Sequence, residues 1–187
     1  MMDSLEILYN EVLYCRACGL CEGRKTVVLG NGAANAKILL LGEAPGEAED
    51  KSGEPFVGRS GKLLCELLIQ AGFSREQDIY IANMLKCRPP KNRNPKPCEL
   101  AACNGFLQRQ IKLLAPKIIV CLGRVSAQSI IDKGFKVTVQ HGQWVQKDGV
   151  WLMGTFHPAS LLRSPSQKPL AMCDFAALRT KHDEIFA

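Results

Sequence analysis

Four short apolar runs, KILLLG (37–42), DIYIANML (78–85), PKIIVCLG (116–123) and VWLMGTF (150–156), recur along the 187-residue chain with helix-like stretches between them. Such runs, rich in Ile, Leu and Val, read as strands buried on both faces. The segments 60–71 (SGKLLCELLIQA), 97–114 (PCELAACNGFLQRQIKLL), 124–132 and roughly 170–186 read as helices, with Pro97 placed for a first turn and Gly72 for a C-cap. Strands alternating with helices imply a parallel sheet covered on both faces. The expectation is one domain over 1–187 with an α/β fold in three layers, α/β/α, around a central, mainly four-stranded parallel sheet. A further strand is expected at KTVVLG (25–30), and a first helix over 3–14.

Composition narrows the classes. With 47% hydrophobic and 22% charged residues the chain can bury a full core, which excludes a disordered protein. No apolar stretch approaches a membrane span. The N-terminal MMDSLEILYNEVLYC is acidic and amphipathic, unlike a secretory signal, so a cytoplasmic protein without membrane contact is expected. The formal charge of +6 is modest, and its distribution says more. Residues 85–97, LKCRPPKNRNPKP, hold Lys86, Arg88, Lys91, Arg93 and Lys96 and no acid. Four prolines keep that stretch extended and its charges displayed, as a contact for nucleic acid; a solvated loop is the plain alternative.

The segment after the first core strand, GEAPGEAEDKSGEPFVGRSG (42–61), has the opposite charge. Its five carboxylates against Lys51 and Arg59 give −3, leaving +9 for the rest of the chain. Ligands of open α/β sheets sit beyond the C-terminal ends of the strands, so this loop is a candidate site wall. Two glycine motifs are decoys. GNGAAN (30–35) lacks the third glycine of a dinucleotide fingerprint, and GRSGKL (58–63) lacks the first glycine and the Ser/Thr of a phosphate loop, so no nucleotide cofactor is expected.

Nine cysteines, an odd number at uneven spacing, argue against a disulfide scaffold and for metal or cluster ligation in a reducing compartment. Cys15 and Cys18 form a C-x2-C pair, and Cys87 and Cys103 flank the basic loop. Four thiolates so arranged fit a [4Fe–4S] cluster or a zinc ion, with Cys21 and Cys98 competing as ligands. Cys65, Cys121 and Cys173 read as small core hydrophobes.

Two more segments stand at expected strand ends: Asn83 after IYIA, and FHPASLLRSP (156–165) after VWLMGT. With Glu43 and Phe56 they bring a carboxylate, an aromatic ring, an amide and an imidazole to one edge of the sheet. GEAPGEAED with GEPFVGRSG, then NMLKCRPP followed by KNR, then HPASLLRSP, in this order, resemble the family 4 (iron–sulfur) uracil-DNA glycosylases, from about Cys15 to Pro165.

The resemblance implies a monofunctional enzyme that hydrolyses the N-glycosidic bond of deoxyuridine in single- or double-stranded DNA, acting as a monomer in a prokaryotic, nucleoid-associated setting. A structural [4Fe–4S] cluster on Cys15, Cys18, Cys87 and Cys103 is implied in preference to zinc. The base must leave the stack to be cut. Phe56 would stack on it, and the Asn83 carboxamide would read its N3–H and O4. His157 would stabilise the uracil anion, and Glu43 would orient water or stabilise the sugar cation. Gly42, Ala44, Gly46, Glu49 and Asn92 would contribute to the substrate pocket. Glu47 or Glu49 would crowd the edge of the base where other uracil glycosylases use an aromatic against the thymine methyl, and the remaining loop acids would be solvated. Leu161 or Leu162 would wedge into the minor groove beside Arg163, with Lys86, Arg88, Lys91 and Arg93 on phosphates. Related enzymes carry an acid before the proline of the first motif, where Ala44 stands here. A superfamily member acting on hypoxanthine or mismatched thymine, or a non-catalytic iron–sulfur DNA-binding module, are the alternatives.

Overall fold

The computed structural model describes residues 3–186. Strands β1 (Gly30–Gly32), β2 (Ile38–Gly42), β3 (Ile79–Asn83), β4 (Ile118–Leu122), β5 (Trp144–Lys147) and β6 (Val150–Thr155) form one sheet in the order β1-β3-β2-β4-β6-β5. The inner four, β3-β2-β4-β6, are parallel and correspond to the four apolar runs. The outer two pair antiparallel, which makes the sheet six-stranded where four were expected. Lys25–Leu29, expected as a strand, is not one: Val28 N–H reaches Lys86 O at 2.8 Å, and the chain joins the sheet only at Gly30.

The helices are α1 (Leu5–Leu13), α2 (Leu20–Gly23), α3 (Glu47–Ser52), α4 (Arg59–Gln70), α5 (Pro97–Leu114), α6 (Arg124–Ile130), α7 (Val137–Gln140), α8 (Pro158–Arg163) and α9 (Lys168–Phe186). The two-residue alternation of a strand divides them into layers. Ile38 and Leu40 of β2, with Ile79 and Ile81 of β3, face α4, α8 and α9 through Leu64, Leu68, Leu161 and Phe175. Leu39 and Leu41, with Tyr80 and Ala82, face α5 and α6 through Leu107 and Ala127. These alternating faces make the expected three layers. A third apolar cluster lies outside them, where Leu8 and Val12 of α1 meet Leu20, Leu29, Leu85 and Cys87. None of the described helices is long and apolar enough to cross a membrane.

Candidate active site and a cysteine-lined cavity

Three of the parallel strands deliver their C-terminal ends to one cleft of about 380 Å³. β2 ends at Gly42, and the next residues, Glu43, Ala44, Pro45 and Gly46, form part of the cleft wall. β3 ends at Asn83, opposite Gly42 in the register. Past the strands, Met84 N–H donates to Gly42 O at 3.0 Å and Leu85 N–H to Glu43 O at 3.1 Å, so the two ends stay fastened. Position 42 tolerates only glycine, because a Cβ there would lie 2.3 Å from Asn83 Oδ1 and 2.9 Å from the Phe56 ring.

Asn83 is buried, and its Oδ1 has no hydrogen-bond partner among the described residues. An acceptor left unpaired at that depth costs about 1–3 kcal/mol, which a ligand N–H would recover. Above it, the Phe56 and His157 rings lie with centroids 5.6 Å apart and planes tilted by 32°.

Glu49 fastens the loop that carries Phe56. Its buried Oε1 accepts from Val57 N–H and Gly58 N–H, each at 3.0 Å, while a Cβ at Gly46 would sit 2.6 Å from Oε2. Glu49, not Glu47, therefore fills the space beside Gly46; Glu47 is exposed and pairs with Lys51 at 2.7 Å. Asp50, expected to be solvated, is instead buried and accepts from Lys25 N–H at 3.0 Å.

His157 caps α8: its Nδ1 accepts from Ala159 N–H at 3.1 Å. Burial pushes the imidazole pKa down to about 4, with the positive charge of Arg163 adding to the effect. The ring is therefore neutral at physiological pH, and with Nδ1 occupied as acceptor its one proton is on Nε2. Burial also raises the Glu43 pKa, and the nearby Arg124 opposes that rise. Arg124 begins α6 just past β4, and no local motif marks it. The strand order, with β4 beside β2, is what brings it near Glu43.

Asn92, Arg93 and Arg163 complete the cleft with Ser60, Pro89, Asn94 and Ala159, four residues that sequence reasoning passed over. Ser60 sits in the discarded GRSGKL decoy, where the search for a phosphate loop hid it. Several expected DNA contacts are corrected. Lys86 is not displayed; it is fully buried, and its Nζ donates to Asn83 O (2.8 Å), Leu29 O (3.3 Å) and Gln110 Oε1 (2.6 Å). Leu161 is no wedge, since it packs wholly inside the core, and Leu162 lies half-buried against the same cluster. Arg93 spends its fork on Glu99 at 2.8 and 2.5 Å, which holds that carboxyl down to about 2. Arg88 donates to Asn92 Oδ1 at 2.8 Å and lies 3.6 Å from Glu47. The basic segment is thus a pinned turn at Pro90–Asn92 rather than an extended strip, with Lys91 and Asn92 both at φ 54° and Lys91 left exposed.

A second cavity lies against the third apolar cluster. Cys15, Cys18, Cys21, Cys87 and Cys103 all line it, whereas Cys98 is exposed and stands apart. Arg24 spans its edge, donating to Cys87 Sγ at 3.3 Å and to Leu13 O at 2.6 Å. Burial pushes the Cys87 and Cys103 thiols up. Among the described residues no three such side chains close around a point that would hold one metal ion. Of the three cysteines read as core residues, Cys121 is buried, Cys65 is half-buried and Cys173 is exposed, so the last is corrected.

Comparison with known proteins agrees with this geometry. The family model of the uracil DNA glycosylase superfamily matches residues 29–178, which include the cleft residues. A type-4 uracil-DNA glycosylase of Thermotoga maritima is 46% identical over 171 residues, covering 89% of this chain and 87% of that protein. Type-4 uracil-DNA glycosylases of Sulfurisphaera tokodaii and Archaeoglobus fulgidus are 42% and 41% identical, over 95% and 93% of this chain and 84% and 91% of their own lengths. Strand ends, cleft and sequence likeness agree, and the chain belongs to the uracil-DNA glycosylase superfamily, within its type-4 group.

Proposed function

We propose that this protein hydrolyses the N-glycosidic bond of deoxyuridine in DNA, releasing uracil and leaving an abasic site. The observation that carries the reading is the buried, unpartnered Asn83 Oδ1 at the foot of a cleft walled by Phe56 and His157. Uracil offers an N3–H donor beside an O4 acceptor, and one carboxamide pairs with both; cytosine reverses the pattern and leaves both groups unpaired. Phe56 supports the ring of the flipped base.

In the reaction the C1′–N1 bond breaks, its electron pair stays on the base, and C1′ becomes oxocarbenium-like. The Nε2–H of neutral His157 donates to uracil O2, where the anion's charge collects. A water then adds to C1′ and loses a proton to solvent, and the uracil anion takes up a proton in turn, so neutral uracil leaves. Glu43 orients that water or balances the charge at C1′, and both roles need the ionised carboxylate. Arg163 at the rim and exposed Lys91 hold the phosphates.

The reading is tested with an oligonucleotide containing one uracil, incubated with the protein and then treated with alkali. A break at the uracil is expected, and an intact strand would reject the reading. Breakage at a mismatched thymine or at hypoxanthine but not at uracil would transfer it to the broader-specificity alternative.

The pH profile separates the two titratable groups. Glu43 has a raised pKa, so its working carboxylate is lost first as pH falls, and kcat/KM should drop on the acid side through that value. His157 is already neutral well above its pKa of about 4, so no loss of rate is expected as pH rises through 6.5. Glu43→Gln should lower the rate at least about tenfold and flatten the acid limb. An unchanged limb in that variant would remove Glu43 from the mechanism.

We further propose that Cys15, Cys18, Cys87 and Cys103 hold a [4Fe–4S] cluster with a structural role, with Cys21 lining the same cavity. When bound, the cluster pins both ends of the Cys87–Cys103 segment. Iron and acid-labile sulfide with a broad visible band are expected in the purified protein. Cys103→Ala should lose the band and lower the melting temperature; zinc in place of iron would overturn the cluster.

A further inference from the structure

We infer that Arg75 is a positioning residue for the stacking ring: its guanidinium clamps the peptide that holds Phe56 in its left-handed conformation. The inference rests on the proposed role of Phe56 as the surface beneath the flipped base. Phe56 has φ 53°, a region that bulky side chains avoid and that persists only where surrounding contacts impose it.

Two contacts impose it here. One is the first turn of α4 pressing from below, where a Cβ at Gly61 would lie only 1.8 Å from Phe56 O. The other is Arg75, which arrives from the connection between α4 and β3 and donates through its two terminal nitrogens to successive carbonyls, Pro55 O at 2.5 Å and Phe56 O at 2.7 Å. Its own turn is fixed by Ser74 N–H donating to Asp78 Oδ2 at 2.8 Å.

The chemistry of the clamp is specific. Arg75 forms no ion pair among the described residues; beyond the two carbonyls its contact is Cys65 Sγ at 3.5 Å. A planar fork can span two consecutive carbonyls, whereas a lysine ammonium presents one point charge and cannot reproduce the pair. Without the fork, two partly buried carbonyls lose their donors and the peptide is free to leave the left-handed region. The ring then no longer faces His157. Arg75 does not line the cleft, so its effect passes through Phe56 alone.

The test is a double-mutant cycle on the uracil-releasing reaction. Arg75→Ala is expected to lower kcat/KM by about ten- to hundredfold, the range for a displaced positioning contact. Its affinity for free uracil should fall by a similar factor, while its affinity for an abasic-site oligonucleotide, held through phosphates, stays that of the wild type. Arg75→Ala combined with Phe56→Ala should be no slower than Phe56→Ala alone. Multiplying losses, or unchanged uracil affinity in Arg75→Ala, overturn the inference. Arg75→Lys and Arg75→Gln run through the same cycle, with folding checked by circular dichroism, guard against a variant that fails to fold. A wild-type protein that leaves uracil in DNA would reject the proposed function itself, an outcome distinct from either.

Discussion

Replacing His157 with asparagine is expected to slow uracil release by about a hundredfold to a thousandfold, the range measured when a single oxyanion donor is removed. The choice of asparagine follows from the double duty of this side chain. Its Nδ1 caps α8 by accepting from Ala159 N–H, and its ring lines the cleft, where Nε2–H is the proposed donor. Asparagine is among the best N-cap residues, so the variant keeps the cap, whereas alanine would also lose about 0.5–2 kcal/mol of stability. His157→Asn should therefore melt with the wild type and bind uracil-containing DNA with little change, while single-turnover cleavage collapses. Cleavage within threefold of wild type would show that the leaving base needs no donor from this ring.

Asn83→Leu is expected to move two properties in opposite directions. Leucine nearly matches asparagine in shape but offers neither donor nor acceptor, so N3–H and O4 of the flipped uracil would both go unpaired. At about 1–3 kcal/mol for each, the rate should fall by about thirtyfold to about twenty-thousandfold. The folded protein should gain, because the variant removes a buried oxygen that has no partner among the described residues. A melting temperature equal to or above that of the wild type, together with a crippled rate, is the signature of a residue kept for its ligand. A variant that is both less stable and only mildly slower would place Asn83 among the structural residues.

How much of this was legible in the chain follows from what each feature depends on. The inner strands are visible because burial on both faces writes itself as an unbroken apolar run. Strand β1 is only Gly30–Gly32, and β5 is WVQK with mostly exposed side chains, so neither leaves an apolar trace. Glu43, Phe56, Asn83 and His157 could be placed because each stands at, or in the loop after, a readable strand. Lys86 misled for the opposite reason: it opens a segment rich in cations, but its burial depends on Leu29 and Gln110, more than twenty residues away on either side. Arg75 and Arg124 were invisible, since each acts on a loop distant in sequence and neither belongs to a motif.

The run from Asn83 to Cys87 has a consequence for how this chain can change. Asn83 ends a strand, Met84 and Leu85 fasten to the neighbouring strand's exit, Lys86 anchors into the interior, and Cys87 opens onto the other cavity. Every residue in that stretch is committed, and each to a different neighbour. A single inserted or deleted residue between 84 and 86 would break the count at both ends together. Variation in length is therefore confined to the turn beyond Cys87, and the spacing between the amide and the cysteine is as fixed as the identity of either.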